Sequence, residues 1–467
     1  MKTLRDPGGP REPGRPRVTA TSDTVPEFEG EKPWPSRGQA YYALAVLLIA
    51  YVFSFIDRII LSMLVGPIKA DLGLSDTQIA LVNGLAFSMF YATMGLPLGW
   101  LVDRTSRKGV VAAGVALWSL VTAMSGLARD FGHLFLARMG VGVGEAALSP
   151  GAYSMIADYF RPQQRGRAIA IYTMGVSLGS GLAYLIGGFL IAFASRRAVI
   201  ELPLLGVMAP WRFIFIAVGL PGLLVALAML TVREPARRRG AAEQADDGPT
   251  EAFWTFMKRR AAVMGAYVFG YGMSNVPFAA FLAWGPAFMG RHYHLSPKQI
   301  GIALGLVFLG PACLGQLAGA ALTDWRYARG KIAAPFQTGL VCAVLLIPFS
   351  ALTTLAPTAG LSLAALAVSV FLVCASVGHQ ATVATLISPN RLRGQVSAFY
   401  ILMQAVIGAA VVPLAVALIS DHMLHDPSKI GVAMAVVSAV GAAIGAIVLA
   451  LGLKPLRRAL TPSVSNP

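Results

Sequence analysis

Charge is scarce in this chain. Asp, Glu, Lys and Arg make up 13% of its 467 residues, against about 25% in soluble globular proteins. With 56% of the residues hydrophobic, a soluble domain is excluded and a polytopic membrane protein is expected. Acid is scarcer than base: 22 Asp and Glu stand against 38 Lys and Arg, a net charge of +16. That excess is not a nucleic-acid footprint, because the cations sit in short segments between apolar runs, where the positive-inside rule places them. Cysteine is nearly absent. Cys313, Cys342 and Cys374 lie in apolar runs at unpatterned spacing, which excludes a disulfide framework and a thiolate metal site and leaves small core residues. The polar segments hold no P-loop, Walker lysine or metal-ligand cluster. An enzyme is therefore not expected, nor a cofactor, and any energy must come from a gradient. No apolar stretch with a cleavage site opens the chain, so the first spanning helix is the expected insertion signal.

What is abundant is long apolar runs. Twelve can cross a bilayer, which takes about 20 residues: 41–66, 76–102, 109–128, 132–158, 166–194, 211–232, 261–289, 298–323, 333–355, 361–387, 395–420 and 431–453. The expected fold is all-α and polytopic. Residues 1–40 form a Pro-, Gly- and charge-rich tail expected to be disordered. Six-helix bundles follow at 41–232 and 261–453, joined by a loop at 233–260 and ended by a tail at 454–467. The loop end, 251–260, reads either as an amphipathic helix on the membrane surface or as plain linker. Segments on the N-terminal side of the membrane carry 28 Lys and Arg, those on the other side seven. Both termini are expected in the cytoplasm, and the protein in the plasma (inner) membrane.

The halves echo each other. The run 99-GWLVDRTSRK-108 after the second helix matches 320-AALTDWRYARGK-331 after the eighth, with Asp103 and Asp324 separated by 221 residues. The run 161-RPQQRGRA-168 matches 388-SPNRLRGQ-395, with Arg165 and Arg393 separated by 228. Two motif pairs at nearly one offset indicate a duplicated six-helix unit, typical of secondary transporters.

The loop motif, with Gly99, Asp103, Arg104 and Lys108 in place and Ser106 for the usual second glycine, resembles that of the major facilitator superfamily. The segment 136-LARMGVGVGEAALSPGAYSMIADYFRPQQRGRAIAIY-172, with FIDR at 55–58, is similar to the spinster-type branch. The resemblance implies two six-helix bundles working by alternating access. It also implies substrates of the lysolipid or sphingoid-phosphate kind, with proton coupling. The fifth helix, 175-GVSLGSGLAYLIGG-188, lacks the proline of the drug/proton antiporter signature.

Asp57 and Arg58 lie inside the first run. At the centre of a lipid-facing helix each charge costs at least roughly 2.5–3.5 kcal/mol, so such residues turn to a protein-lined or aqueous interior. Arg138 and Glu145 are seven residues apart in the fourth helix; that spacing puts them on nearly one face, about 10.5 Å apart along the axis. Asp57 and Glu145 are assigned to proton coupling, since an enclosed carboxyl holds its proton unless a cation compensates. Arg58, Arg138, Tyr153 and His379 are assigned to substrate binding, arginine suiting a phosphate or carboxylate. The bland alternatives are a static Asp57–Arg58 pair and Arg138 as the compensating charge for Glu145. Asp103, Arg104, Lys108, Asp158, Arg165, Asp324 and Arg393 are assigned to gating at the cytoplasmic helix ends, or else merely enforce topology.

Asn83, Tyr91, Tyr184, Asn275, Gln316 and Gln404 are further cavity candidates, helix–helix hydrogen bonding being their ordinary role. Phe269, Tyr271, Met273, Phe278, Phe281 and Trp284 give either an apolar cavity wall or ordinary core. The run 140-GVGVG-144 follows no strand and serves close helix packing. The expected function is a proton-coupled secondary transporter of an amphipathic anion. Small organic anion carriage and non-transporting sensing are the alternatives. The expected partners are a small-molecule or lipid substrate, protons and membrane lipids, with no nucleic acid, the chain acting as a monomer.

Overall fold

The computed structural model describes residues 33–203, 206–237, 252–331, 333–389 and 392–460. Most of the expected tail 1–40 and the middle of the 233–260 loop lie outside them. Helix α1 (Arg37–Met63) starts at Ser36, whose hydroxyl accepts from the Gln39 amide. It stops where the Pro67 ring opposes the Met63 carbonyl, and the short helix Val65–Leu72 continues. Helix α2 (Asp76–Arg104) opens on a capping box between Ser75 and Gln78. Then come α3 (Arg107–Ser125), α4, α5 (Gln163–Ala194) and α6 (Pro210–Thr231). The second half has α7, α8 (Pro297–Ala328), α9 (Ala334–Leu355), α10 (Ala359–Ile387), α11 (Gln395–Leu424) and α12 (Ile430–Leu460).

Ten of the twelve expected spans are, among the described residues, helices long and apolar enough to cross a membrane. The other two, α4 and α7, are broken. α4 runs as Phe131–Glu145 and Leu148–Tyr159. Pro150 cannot donate to the Ala146 carbonyl and its ring crowds it, so the chain turns at Ala146–Ala147. α7 runs in pieces from Ala261–Gly265 to Val276–Tyr293, with a turn at Asn275 ahead of Pro277. Pro97 and Pro286 lie inside the helical segments Phe87–Arg104 and Val276–Tyr293. Helix α12 continues to Leu460, through the start of the expected tail 454–467. Residues Phe253–Arg259 are helical, with Phe256 buried and Trp254 exposed. Among the described residues one hairpin interrupts the helices: β1 (Ile200–Leu202) pairs antiparallel with β2 (Gly206–Met208), Leu202 opposite Gly206.

In the first half, α1 packs on α5 and α6, and α3 on α4 and α6. In the second, α9 packs on α10 and α12, and α8 on α10. The halves meet along α5–α8, α1–α7 and α2–α11. At α5–α8 the backbones touch: a Cβ on Gly188 would lie 2.7 Å from the Gly301 Cα, so only glycine fits. Loops after even-numbered helices share one membrane face, called here the basic face; those after odd-numbered helices share the opposite face.

Candidate functional site

The glycine run of α4 brings its charges inward. A Cβ on Gly142 would lie 2.5 Å from the Phe87 carbonyl oxygen, and one on Gly144 2.8 Å from that of Gly114. Helix α4 therefore lies directly against α2 and α3, and Glu145 reaches α1. There Ser54 and Arg58, four residues apart on one helical face, both donate to Glu145 Oε2. Ser54 Oγ is at 2.6 Å, Arg58 Nε at 2.7 Å and Arg58 Nη2 at 2.6 Å. The Glu145 side chain is fully enclosed, whereas that of Arg58 is 25% exposed. Phe87, Tyr91 and Phe55 surround the guanidinium, with ring centres 4.6, 5.0 and 5.1 Å from its carbon. Such contacts favour the cation by about 0.5–2 kcal/mol each.

Asp57 is also buried, but its partner is a hydroxyl: Thr122 Oγ1 on α3 donates to Oδ2 at 3.0 Å. It makes no side-chain pair with Arg58, because neighbours along a helix point apart. Arg138 is buried behind the pair, with Nη1 3.5 Å from the Asp57 carbonyl oxygen and its carbon 5.8 Å from the Phe87 ring. Three atoms here, Asp57 Oδ1, Glu145 Oε1 and Arg138 Nε, are buried without a hydrogen-bond partner. All four charged candidates thus gather, and Ser54 and Thr122, which sequence reasoning passed over, select the pairing. For Ser54, a short hydroxyl residue one turn from Arg58, a signal was available; for Thr122 there was none.

Next to this cluster Tyr51 stacks on Tyr172 at 4.7 Å, and Tyr153 meets Tyr172 edge-on at 5.5 Å. From the second half, Gln404 donates to Tyr400 Oη at 2.8 Å and accepts from Asn275 Nδ2 at 3.3 Å. Tyr184 is buried against Phe308. Tyr271, Phe281 and Trp284 are core, and Phe269 is exposed. His379 lies on α10, but its side chain is outside the described residues.

The contacts described for the loop candidates lie within their own halves. Arg104 covers Trp100 at 4.2 Å, Lys108 donates to the Leu230 carbonyl at 3.0 Å and Arg165 to that of Ala157 at 2.7 Å. Arg393 donates to the Ser388 carbonyl at 3.3 Å, and Asp103 and Asp324 are exposed. Asp158 pairs with Arg107, a buried cation that also donates to the Pro235 carbonyl at 2.6 Å. The same arginine meets Glu234 through its amide at 2.8 Å and Nε at 3.4 Å.

Burial pushes the Glu234 carboxyl up, but donation from Ser106 and from the Arg107 amide and guanidinium outweighs it and holds it below the usual carboxylate range. A depressed acid stabilises the fold above its unfolded pKa and loses that contribution as pH falls through its folded value. We therefore expect Glu234→Gln to cost about 2 kcal/mol at pH 7. Thermal unfolding should show the gap between variant and native protein closing as pH drops below the ordinary carboxylate range of about 4.

Ties between the halves gather at the opposite face. Asp76, at the start of α2, has a fully enclosed side chain and accepts from Arg291 of α7 at 2.8 and 2.9 Å and also from Lys69. Beside it Thr77 donates through its amide and its hydroxyl to Asp421 Oδ2 of α11, both at 2.7 Å.

The sequence matches the Major Facilitator Superfamily over residues 47–413. The chain belongs to that superfamily. It is a multi-pass membrane transporter of the spinster-like kind, not an enzyme. An MFS-type efflux pump of Mycolicibacterium smegmatis is 29% identical, over 90% of this chain and 94% of that protein. A probable L-galactonate transporter of Escherichia coli is 28% identical over 69% and 70%. Protein spinster homolog 1 of Xenopus tropicalis is 30% identical over 65% of this chain but 57% of its own length. The transporter superposes with TM-score 0.73 and 26% identity on a bacterial homolog of the human lysosomal transporter spinster, inward-facing and unoccupied, covering 92% of this chain and all of that one. The occupied inward-facing form of a bacterial homolog gives 0.71.

Proposed function

We propose that this transporter is a proton-coupled secondary carrier of an amphipathic anion, a lysophospholipid or sphingoid phosphate, working by alternating access. The observation that carries the reading is Arg58, a partly exposed cation at mid-membrane held by the enclosed Glu145. While Glu145 is ionised it occupies the guanidinium. A proton on Glu145 releases the fork, which then takes a phosphate or carboxylate in a bidentate grip. Asp57 stands beside it with one oxygen unpartnered and acts as the second proton site. Tyr91, half-buried beside the enclosed Phe55 and Phe87, gives an aromatic edge for the apolar part of the substrate. The halves are tied at the face opposite the basic loops. With the basic face in the cytoplasm, as the positive-inside bias places it, this is an inward-facing state of a plasma-membrane protein acting as a monomer, both termini inside.

The second reading is a carrier of small hydroxylated carboxylates. The Asn275–Gln404–Tyr400 chain favours it, offering hydroxyl partners from the other half. Liposomes holding the purified protein decide, given a lysolipid panel and a sugar-acid panel with and without a pH gradient. Lysolipid accumulation should rise about tenfold per pH unit for one coupled proton. Accumulation of sugar acids alone selects the second reading, and uptake indifferent to the gradient removes proton coupling.

A further inference from the structure

We propose that the basic face of the second half holds a separate site for the phosphate of an acidic phospholipid. A cavity of about 350 Å³ opens where α8 ends, α9 begins and α12 ends, lined by Arg326, Lys331, Ala333, Gln337 and Arg457. Three of its five lining residues are cations and none is an acid. Arg326 is oriented by neutral groups, donating to Gln337 Oε1 at 2.7 Å and Thr338 Oγ1 at 3.2 Å, so its guanidinium is placed without being neutralised by them. The one acid on this face of the second half, among the described residues, is Asp324. It stands two residues before Arg326, about 200° around the helix and so turned away.

The position selects a lipid over a free anion. These helix ends lie at the membrane surface, and Trp325 and Tyr327, 53% and 48% exposed, suit an interfacial belt. Leu322 sits one turn before Arg326 on the same helical face and is 42% exposed, leaving apolar surface beside the cations for an acyl chain. Basic cavities of this kind between helices take acidic headgroups. The site is remote in sequence from Arg58 and does not depend on what the transporter carries.

Native mass spectrometry of the full-length protein in detergent, titrated with phosphatidylglycerol, cardiolipin, phosphatidylcholine or inorganic phosphate, provides the test. Phosphatidylglycerol and cardiolipin should bind and phosphatidylcholine should not. Their affinity should fall about fivefold in Lys331→Gln and on the order of 100-fold when Arg326→Gln and Arg457→Gln are added. Lys331 is exposed, so its single substitution decides the matter even if the triple variant fails to fold. Undiminished binding in Lys331→Gln, equal binding of phosphatidylcholine, or inorganic phosphate matching the lipid in affinity each overturns the proposal. The last of these would identify a free-anion site.

Discussion

In liposomes, Glu145→Gln should exchange labelled substrate down its gradient yet fail to accumulate it when a pH gradient is imposed. Accumulation needs the charge on Glu145 itself to change during the cycle, and the amide has none to change. Arg58 in this variant stays permanently released, so the substrate-binding state no longer waits for a proton. The expected loss is the whole coupling ratio, from about tenfold accumulation per pH unit to none. Removing one partner of a buried pair costs about 3–5 kcal/mol. Arg58 is a quarter exposed, which softens that cost, and Ser54 still has an oxygen to donate to. The fold should therefore survive, and exchange activity reports that it has. Asp57→Asn should lose accumulation in the same way while keeping the Arg58–Glu145 contact. Native pH-driven accumulation in both variants would sink the coupling scheme.

The fold could be read from the chain because bilayer thickness leaves few options for twelve apolar runs. The broken helices were less legible. Pro150 and Pro277 mark the turns at Ala146–Ala147 and Asn275, but Pro97 and Pro286 sit inside continuous helical segments, and only neighbouring packing separates the cases. At the site, the seven-residue spacing of Arg138 and Glu145 fixed a shared face, and the cost of burying Asp57 and Arg58 fixed their inward direction. Which acid meets which arginine was not legible. That choice depends on Ser54 and Thr122, ordinary residues whose meaning lies 91 and 65 residues away in Glu145 and Asp57. The same limit hid the ties at the opposite face. Asp76 and Arg291 are 215 residues apart, Thr77 and Asp421 344, at helix ends that carry no motif. The charged loop motif pointed instead to Asp103 and Arg104, which among the described residues make no tie across the halves. Arg107, at the start of α3, is the buried cation instead, and its described partners are Asp158 of its own half and Glu234 of the joining loop.

Arg291→Gln should part the halves at the opposite face. Alternating access requires every bond that crosses between the halves on this face to break when it opens, while bonds within each half persist. Arg291 to Asp76 crosses; Lys69 to Asp76 does not. The substitution therefore removes a cross-tie and leaves Asp76 with a cation, so the effect falls on the conformational balance more than on folding. A charge-assisted hydrogen bond contributes about 1.5–3 kcal/mol. A loss of roughly 2 kcal/mol moves a two-state ratio about 30-fold toward the open form. Spin labels at Val207→Cys and Met423→Cys, both exposed on this face in opposite halves, with the native cysteines replaced by alanine, report the separation. The native protein should show mainly the shorter distance and Arg291→Gln a large population of a longer one. Asp421→Asn should shift it less, because Thr77 still has an amide oxygen to donate to. Superimposable distance distributions in native protein and Arg291→Gln would reduce this cluster to a local support of the α2 start, and the closing force would have to come from the glycine seam between α5 and α8 instead.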